Sequence, residues 1–157
     1  YGLNVVTTNC SNNYGPFQHD EKLIPTIIRN ALNGNSIPIY GTGENIRDWL
    51  YVEDHCSAIE KVYFNGRAGE TYNVGGNNEK TNLDIAHTIC AILDELKPKD
   101  QSYEDQITFV KDRPGHDLRY AVDSSKLSDI LNWKNQVSFE KGIKNTVQWY
   151  LDKYLGN

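Results

Sequence analysis

The chain has 157 residues, a net charge of −5 and three cysteines. That length fits one domain of ordinary size with a core that needs no covalent staple, and an acidic balance without a Lys/Arg cluster argues against nucleic acid as a partner. Cys10, Cys56 and Cys90 form no CxxC and no disulfide framework, as expected for a reducing cytoplasm, and no apolar run nears the roughly 18 residues of a membrane span, so no membrane partner is expected.

Residues 3–8 (LNVVTT) read as a buried strand, and 9–16 (NCSNNYGP) as the loop at its C-terminal end. Apolar positions 23, 24, 27, 28, 31 and 32 fall on one face of a helix over 21–33, stopped by Gly34, with Pro25 in the first turn. Residues 37–40 read as a strand followed by the turn Gly41-Thr42-Gly43, and 49–52 as another strand. A helix follows to about Phe64, and 71–74 is a strand closed by Gly75-Gly76. Residues 81–96 form an amphipathic helix with Asp84 in its first turn. A strand at 107–110, a polar loop at 112–119 (DRPGHDLR) and helices at 124–131 and 139–155 complete the chain. Strands alternating with helices define an α/β fold.

The glycines do not make a dinucleotide fingerprint. GTGENI lacks the third glycine and opens no helix, so Gly41, Gly43 and the Gly75-Gly76 pair read as turn residues. No Tyr is followed four residues later by Lys, so a Tyr-x-x-x-Lys acid/base pair is absent, and no catalytic residue is assigned. His19, His55 and His87 have no partners at ligand spacing, so no metal site is expected. In NCSNNYGP, three asparagines at a strand's C-terminal edge supply uncharged donors and acceptors for a ligand, or simply shape a turn. RDWLYVED places Arg47 just before a strand, where an Arg beside an Asp is commonly a surface ion pair. DRPGHD carries Arg113 and His116 around a Pro-Gly turn, suited to phosphate or simply solvated.

Taken in order, NCSNNYGP, EKLIP, PIYGTGENIRDWLYVEDH, GETYNVGG, NEKTN and DRPGHDLRYAVD resemble the second half of bacterial dTDP-glucose 4,6-dehydratases. These are extended short-chain dehydrogenase/reductases. The resemblance covers nearly the whole chain. RDWLYVED and GETYN are common to sugar-nucleotide enzymes; NCSNNYGP with EKLIP and DRPGHD is narrower.

The resemblance implies that Asn12, Lys22, Leu23, Pro38, Tyr40, Arg47, Asn82, Asp112, Arg113 and His116 contact dTDP-glucose. Asn13 lies on the NAD side. Arg47 and Arg113 would neutralise the diphosphate, and Pro38 and Tyr40 would offer a flat surface to thymine. Asp20 stands where such enzymes often carry Pro. In the family, a hydride leaves sugar C4 for NAD, water is eliminated across C5 and C6, and the hydride returns to C6.

The fold implied is the last strands of a Rossmann-type parallel sheet (1–16 and 49–75) interleaved with a smaller α/β sugar-nucleotide-binding domain (17–48 and 76–157). The NAD loop and the Tyr/Lys pair belong upstream, in a missing N-terminal half of the same protein. The start at Tyr1-Gly2, without methionine, fits that expectation. So does a hydrophobic content of 38%, against about 45–50% in typical globular chains. A homodimer is compatible with the family reading. The competing readings are a UDP-sugar epimerase or decarboxylase of the same superfamily and a stand-alone binding module.

Overall fold

The computed structural model describes residues 2–156. Its strands are β1 (Thr7–Cys10), β2 (Asn12–Tyr14), β3 (Ile37–Tyr40), β4 (Ile46–Tyr51), β5 (Thr71–Val74), β6 (Glu79–Thr81), β7 (Ile107–Val110) and β8 (Arg119–Tyr120). Its helices are α1 (Leu23–Leu32), α2 (Val52–Asn65), α3 (Asn82–Leu96), α4 (Ser125–Leu131) and α5 (Phe139–Leu155), with a 3₁₀ turn at Tyr103–Gln106. The α/β class expected from the sequence is the class observed.

Three small sheets result. β1 pairs in parallel with β5, and β3 in parallel with β7. The third is built on β4. Its second half pairs in parallel with β2, Asn12 opposite Trp49 and Tyr14 opposite Tyr51. Its first half pairs antiparallel with β6 and parallel with β8.

The helices form where the 3.6-residue spacing demands. α1 buries Ile24, Pro25, Ile27, Ile28 and Ala31. α3 starts at a full capping box: the Thr81 hydroxyl accepts from the Asp84 N–H, and the Asp84 carboxylate accepts from the Thr81 N–H. That pairing satisfies two otherwise unpaired donors of the first turn. The larger core joins α1, α3 and α5 to Tyr14, Ile37, Ile39, Trp49 and Tyr51. A smaller one gathers Leu50, Ala58, Val62, Tyr72, Val74, Leu127, Leu131 and Trp133.

Four local expectations change. The first strand begins at Thr7 rather than residue 3, and it alternates between exposed and half-buried rather than being buried, because β5 defines the ladder and its register opens at Thr7–Thr71. Leu3 and Val5 are exposed. Within 9–16, read as loop, Cys10 ends β1 and Asn12–Tyr14 form β2, because β4 offers them a parallel edge. The strand read from residue 49 starts at Ile46, so Arg47 lies inside it rather than before it. Finally, the polar loop 112–119 ends in Arg119, the first residue of β8.

Asp20, the departure from the family pattern, acquires a role. Its carboxylate accepts from Lys153 Nζ and Tyr154 Oη, each at 2.9 Å, tying the entry of α1 to the end of α5. The hydrogen bond from Lys153 holds its carboxyl below the usual range.

Candidate functional site

A cleft of about 370 Å³ opens between the start of α1, β3, β4, the start of α3 and the 112–116 turn. It is lined by Asn12, Lys22, Leu23, Pro38, Tyr40, Arg47, Asn82, Arg113 and His116, together with Glu21, Thr26, Ile27 and Trp49. Asp112, the remaining residue expected on the substrate side, hydrogen-bonds His116 at 2.7 Å. Ten residues scattered over more than a hundred positions thus converge on one place.

Each arrives for a local reason. β2 presents Asn12 beside β4. Lys22 is the last residue before α1, and Asn82 the first of α3. Pro38 and Tyr40 alternate with the buried Ile37 and Ile39 of β3, so they share the opposite face. The Asp112 side chain accepts from both the Arg113 N–H and His116 Nδ1, closing the Pro-Gly turn. The bond from His116 depresses the Asp112 carboxyl below its usual range. Gly41 lies so close to this carboxylate that a β-carbon would stand 3.1 Å from its Oδ2, and its φ is +58°. A turn glycine is therefore required there.

Arg47 is the most buried charge of the cleft, at 8% exposure. Nη1 donates to the Ile46 carbonyl at 2.7 Å and Nη2 to the Asp117 carbonyl at 2.9 Å. Among the described residues no carboxylate lies within 4.0 Å of it, as the ion pairs are formed by other residues. The surface ion pair that its sequence neighbourhood suggests is absent. Three lining cations, Lys22, Arg47 and Arg113, face one lining carboxylate, Glu21, so an acidic chain carries a locally cationic cleft.

Asn13 faces elsewhere. It lines a second cavity of about 250 Å³ with Tyr14, Gly15, Pro16, Phe17, Gln18 and Val52. Its amide donates to the Ser11 carbonyl at 3.1 Å, while its Oδ1 is buried without a donor among the described residues.

Sequence reasoning missed Glu21, Thr26, Ile27 and Trp49 in the lining, and Asp48 behind it. Asp48 carried a signal: an Asp within a strand is disfavoured, and one opposite a Gly-Gly turn has backbone donors within reach. Among the described residues no cluster of His, Cys, Asp and Glu could hold a metal ion, and no helix is long and apolar enough to cross a membrane.

The architecture is that of the Rossmann-type short-chain dehydrogenase/reductases. It superposes on dTDP-glucose 4,6-dehydratase from Bacillus anthracis, solved in complex with NAD, with a TM-score of 0.88 at 48% identity, over 99% of this chain and 47% of that one. The corresponding Streptomyces venezuelae enzyme, also solved with NAD, gives 0.89 at 44% identity, over 99% and 46%. The chain belongs to the GDP-mannose 4,6 dehydratase family, which it matches over residues 1–146. Among curated relatives, dTDP-glucose 4,6-dehydratase 1 of Escherichia coli K12 is 60% identical over 159 residues, covering all of this chain and 44% of that protein. The chain therefore spans a little under half the length of such relatives.

Proposed function

We propose that the cleft is the sugar-nucleotide site of an NAD-dependent dTDP-glucose 4,6-dehydratase, which converts dTDP-glucose to dTDP-4-keto-6-deoxyglucose. The observation that carries this reading is the convergence of Asn12, Lys22, Leu23, Pro38, Tyr40, Arg47, Asn82, Arg113 and His116 on one cleft.

Its chemistry suits a nucleoside diphosphate sugar. Arg47 and Arg113 supply planar guanidinium forks for the diphosphate, and the buried Arg47 has no carboxylate partner among the described residues. Pro38 and Tyr40 form an apolar wall for thymine. Asn12, Asn82 and Lys22 offer donors to phosphate and sugar oxygens. Asp112 is a positioning residue: a carboxylate only accepts, so it fixes the proton on His116 Nδ1.

NAD is placed on the Asn13 side, where its nicotinamide end would meet the second cavity and an amide oxygen, Asn13 Oδ1, that lacks a donor among the described residues. When bound, NAD supplies the reversible hydride acceptor that the reaction needs. The partners that go with this reading are dTDP-glucose, an N-terminal half of the same protein carrying the acid/base groups, and a second copy in a homodimer. The division into Rossmann elements (1–16, 49–75) and substrate domain (17–48, 76–157) belongs to the same proposal. Three free thiols suit a cytoplasmic setting.

The test is turnover. The intact protein with NAD and dTDP-glucose should give a product lighter by one water that carries a carbonyl at C4. Absence of product, or preferential turnover of the UDP-sugar, would overturn the proposal.

A further inference from the structure

We infer that Asp48 is a further positioning residue of the cleft: its buried carboxylate staples the Gly76–Asn78 turn to β4 and so sets where Asn82 stands beside Arg47. The inference rests on the reading of the cleft as a nucleoside diphosphate site.

Asp48 is 1% exposed and does not line the cleft. Among the described residues no Lys, Arg or His side chain pairs with it. A carboxylate buried without a cation is costly unless its oxygens are hydrogen-bonded. Here the donors are two backbone groups: Oδ2 accepts from the Gly76 N–H at 2.8 Å and Oδ1 from the Asn78 N–H at 2.7 Å. The next residue of β4 adds a third tie, as the Trp49 N–H donates to the Asn78 carbonyl at 3.1 Å. Gly76 allows the approach, since a β-carbon there would overlap the Trp49 carbonyl. The turn is held beyond its other side as well, where Asn77 reaches Ser124 Oγ at 3.4 Å.

What the turn delivers is the wall of the site. Directly after Asn78, β6 runs antiparallel to β4, with Glu79 opposite Asp48, Lys80 opposite Arg47 and Thr81 opposite Ile46. Thr81 caps α3, and the next residue, Asn82, enters the cleft with its N–H on the Asn45 carbonyl at 3.1 Å. The register that puts Asn82 near Arg47 thus begins at the two bonds made by Asp48. Asp48 touches no ligand in this arrangement and acts through β6.

Asp48→Asn keeps the shape but retains one oxygen, so its NH₂ group must confront one of the two N–H donors. Thymidine diphosphate titrated calorimetrically into the intact protein should bind about tenfold more weakly to this variant, with NAD affinity unchanged. Asn82→Ala should cost less affinity in the Asp48→Asn background than in the wild type, because both act on one element. A merely structural Asp48 would lower the melting temperature and leave the thymidine diphosphate affinity as it was, or its effect would multiply independently with that of Asn82→Ala. Either result overturns the inference.

Hydrogen exchange on the wild type tests the same idea without a variant. Thymidine diphosphate should protect the Gly76, Asn78 and Asn82 amides together, and protection of Asn82 alone would count against the staple. Arg47→Ala separates the two levels. If it too leaves thymidine diphosphate binding unchanged, the reading of the cleft itself fails; if it alone weakens binding, only the role of Asp48 fails.

Discussion

Replacing Arg47 by Ala is the sharpest perturbation of the cleft. Arg47 is 8% exposed, and among the described residues its guanidinium bonds the Ile46 and Asp117 carbonyls alone. Truncation removes two neutral acceptors' donors and one buried cation. The lost bonds cost about 0.5–1.5 kcal/mol each, but removing a cation that no carboxylate compensates offsets part of that. The fold should therefore survive with a modest drop in melting temperature. Ligand binding has no such offset. A buried Arg–phosphate contact is worth roughly 2–5 kcal/mol on truncation, and about 1.4 kcal/mol is a factor of ten. Calorimetry on the intact protein should show thymidine diphosphate affinity falling by at least about 30-fold, with NAD affinity little changed. Arg47→Lys should recover part of the loss, because it keeps the charge but not the fork. A fall of less than about threefold in a folded Ala variant would refute the reasoning.

Four further outcomes are expected. Asn12→Ala should weaken thymidine diphosphate binding and Asn13→Ala should weaken NAD binding, each by about 1–3 kcal/mol; equal losses for both ligands in both variants would make the pair a structural turn. Gly142→Ala would drive a β-carbon into the buried Tyr14 hydroxyl and to 3.0 Å from the Tyr51 ring, so overpacking of about 1–3 kcal/mol should exceed the helical gain of about 1 kcal/mol; a melting temperature at or above wild type would contradict it. Burial pushes the Cys90 thiol up to about 12, whereas Cys56 is exposed, so alkylation near neutral pH followed by peptide mapping should find Cys56 modified first and Cys90 last. Because the Asp112 carboxyl is depressed in the folded state by the bond from His116, its contribution is present above the unfolded carboxylate range and is lost as pH falls through the lower, folded value. The Arg113 amide, followed by NMR, should shift only below about pH 4, and a transition above that range would break the argument.

The elements legible in the sequence are those whose own residues decide them. The helices carry their apolar stripes, and β3, β5 and β7 carry β-branched or aromatic residues between turns. β6 (Glu-Lys-Thr) and β8 (Arg-Tyr) are two or three residues long and become strands because β4 lies beside them, which no local pattern encodes. β2 is a tyrosine behind two asparagines, which are poor strand formers made extended by the same neighbour. The site divides in the same way. Spacing alone left Arg47 as a surface ion pair, because its neighbours are β6, β8 and the Asp117 carbonyl, the last two seventy or more residues away. The family resemblance supplied the list of cleft residues, and long-range pairing supplied their proximity.

β4 explains why this cleft holds its shape. Its alternation sends Leu50 into the smaller core and Trp49 and Tyr51 into the larger, so the strand is clamped from both faces. Arg47 precedes these anchors by only two residues, and its own position is fixed by pairing with Lys80 on one side and Tyr120 on the other. β2 copies the same alternation: pairing with β4 keeps it extended, so Asn12 opens on the cationic cleft while Asn13 opens on the second cavity. In a free loop two adjacent asparagines would sample many relative directions; held against a doubly anchored strand they point apart. Two cavities lined by adjacent residues of one strand follow from that constraint.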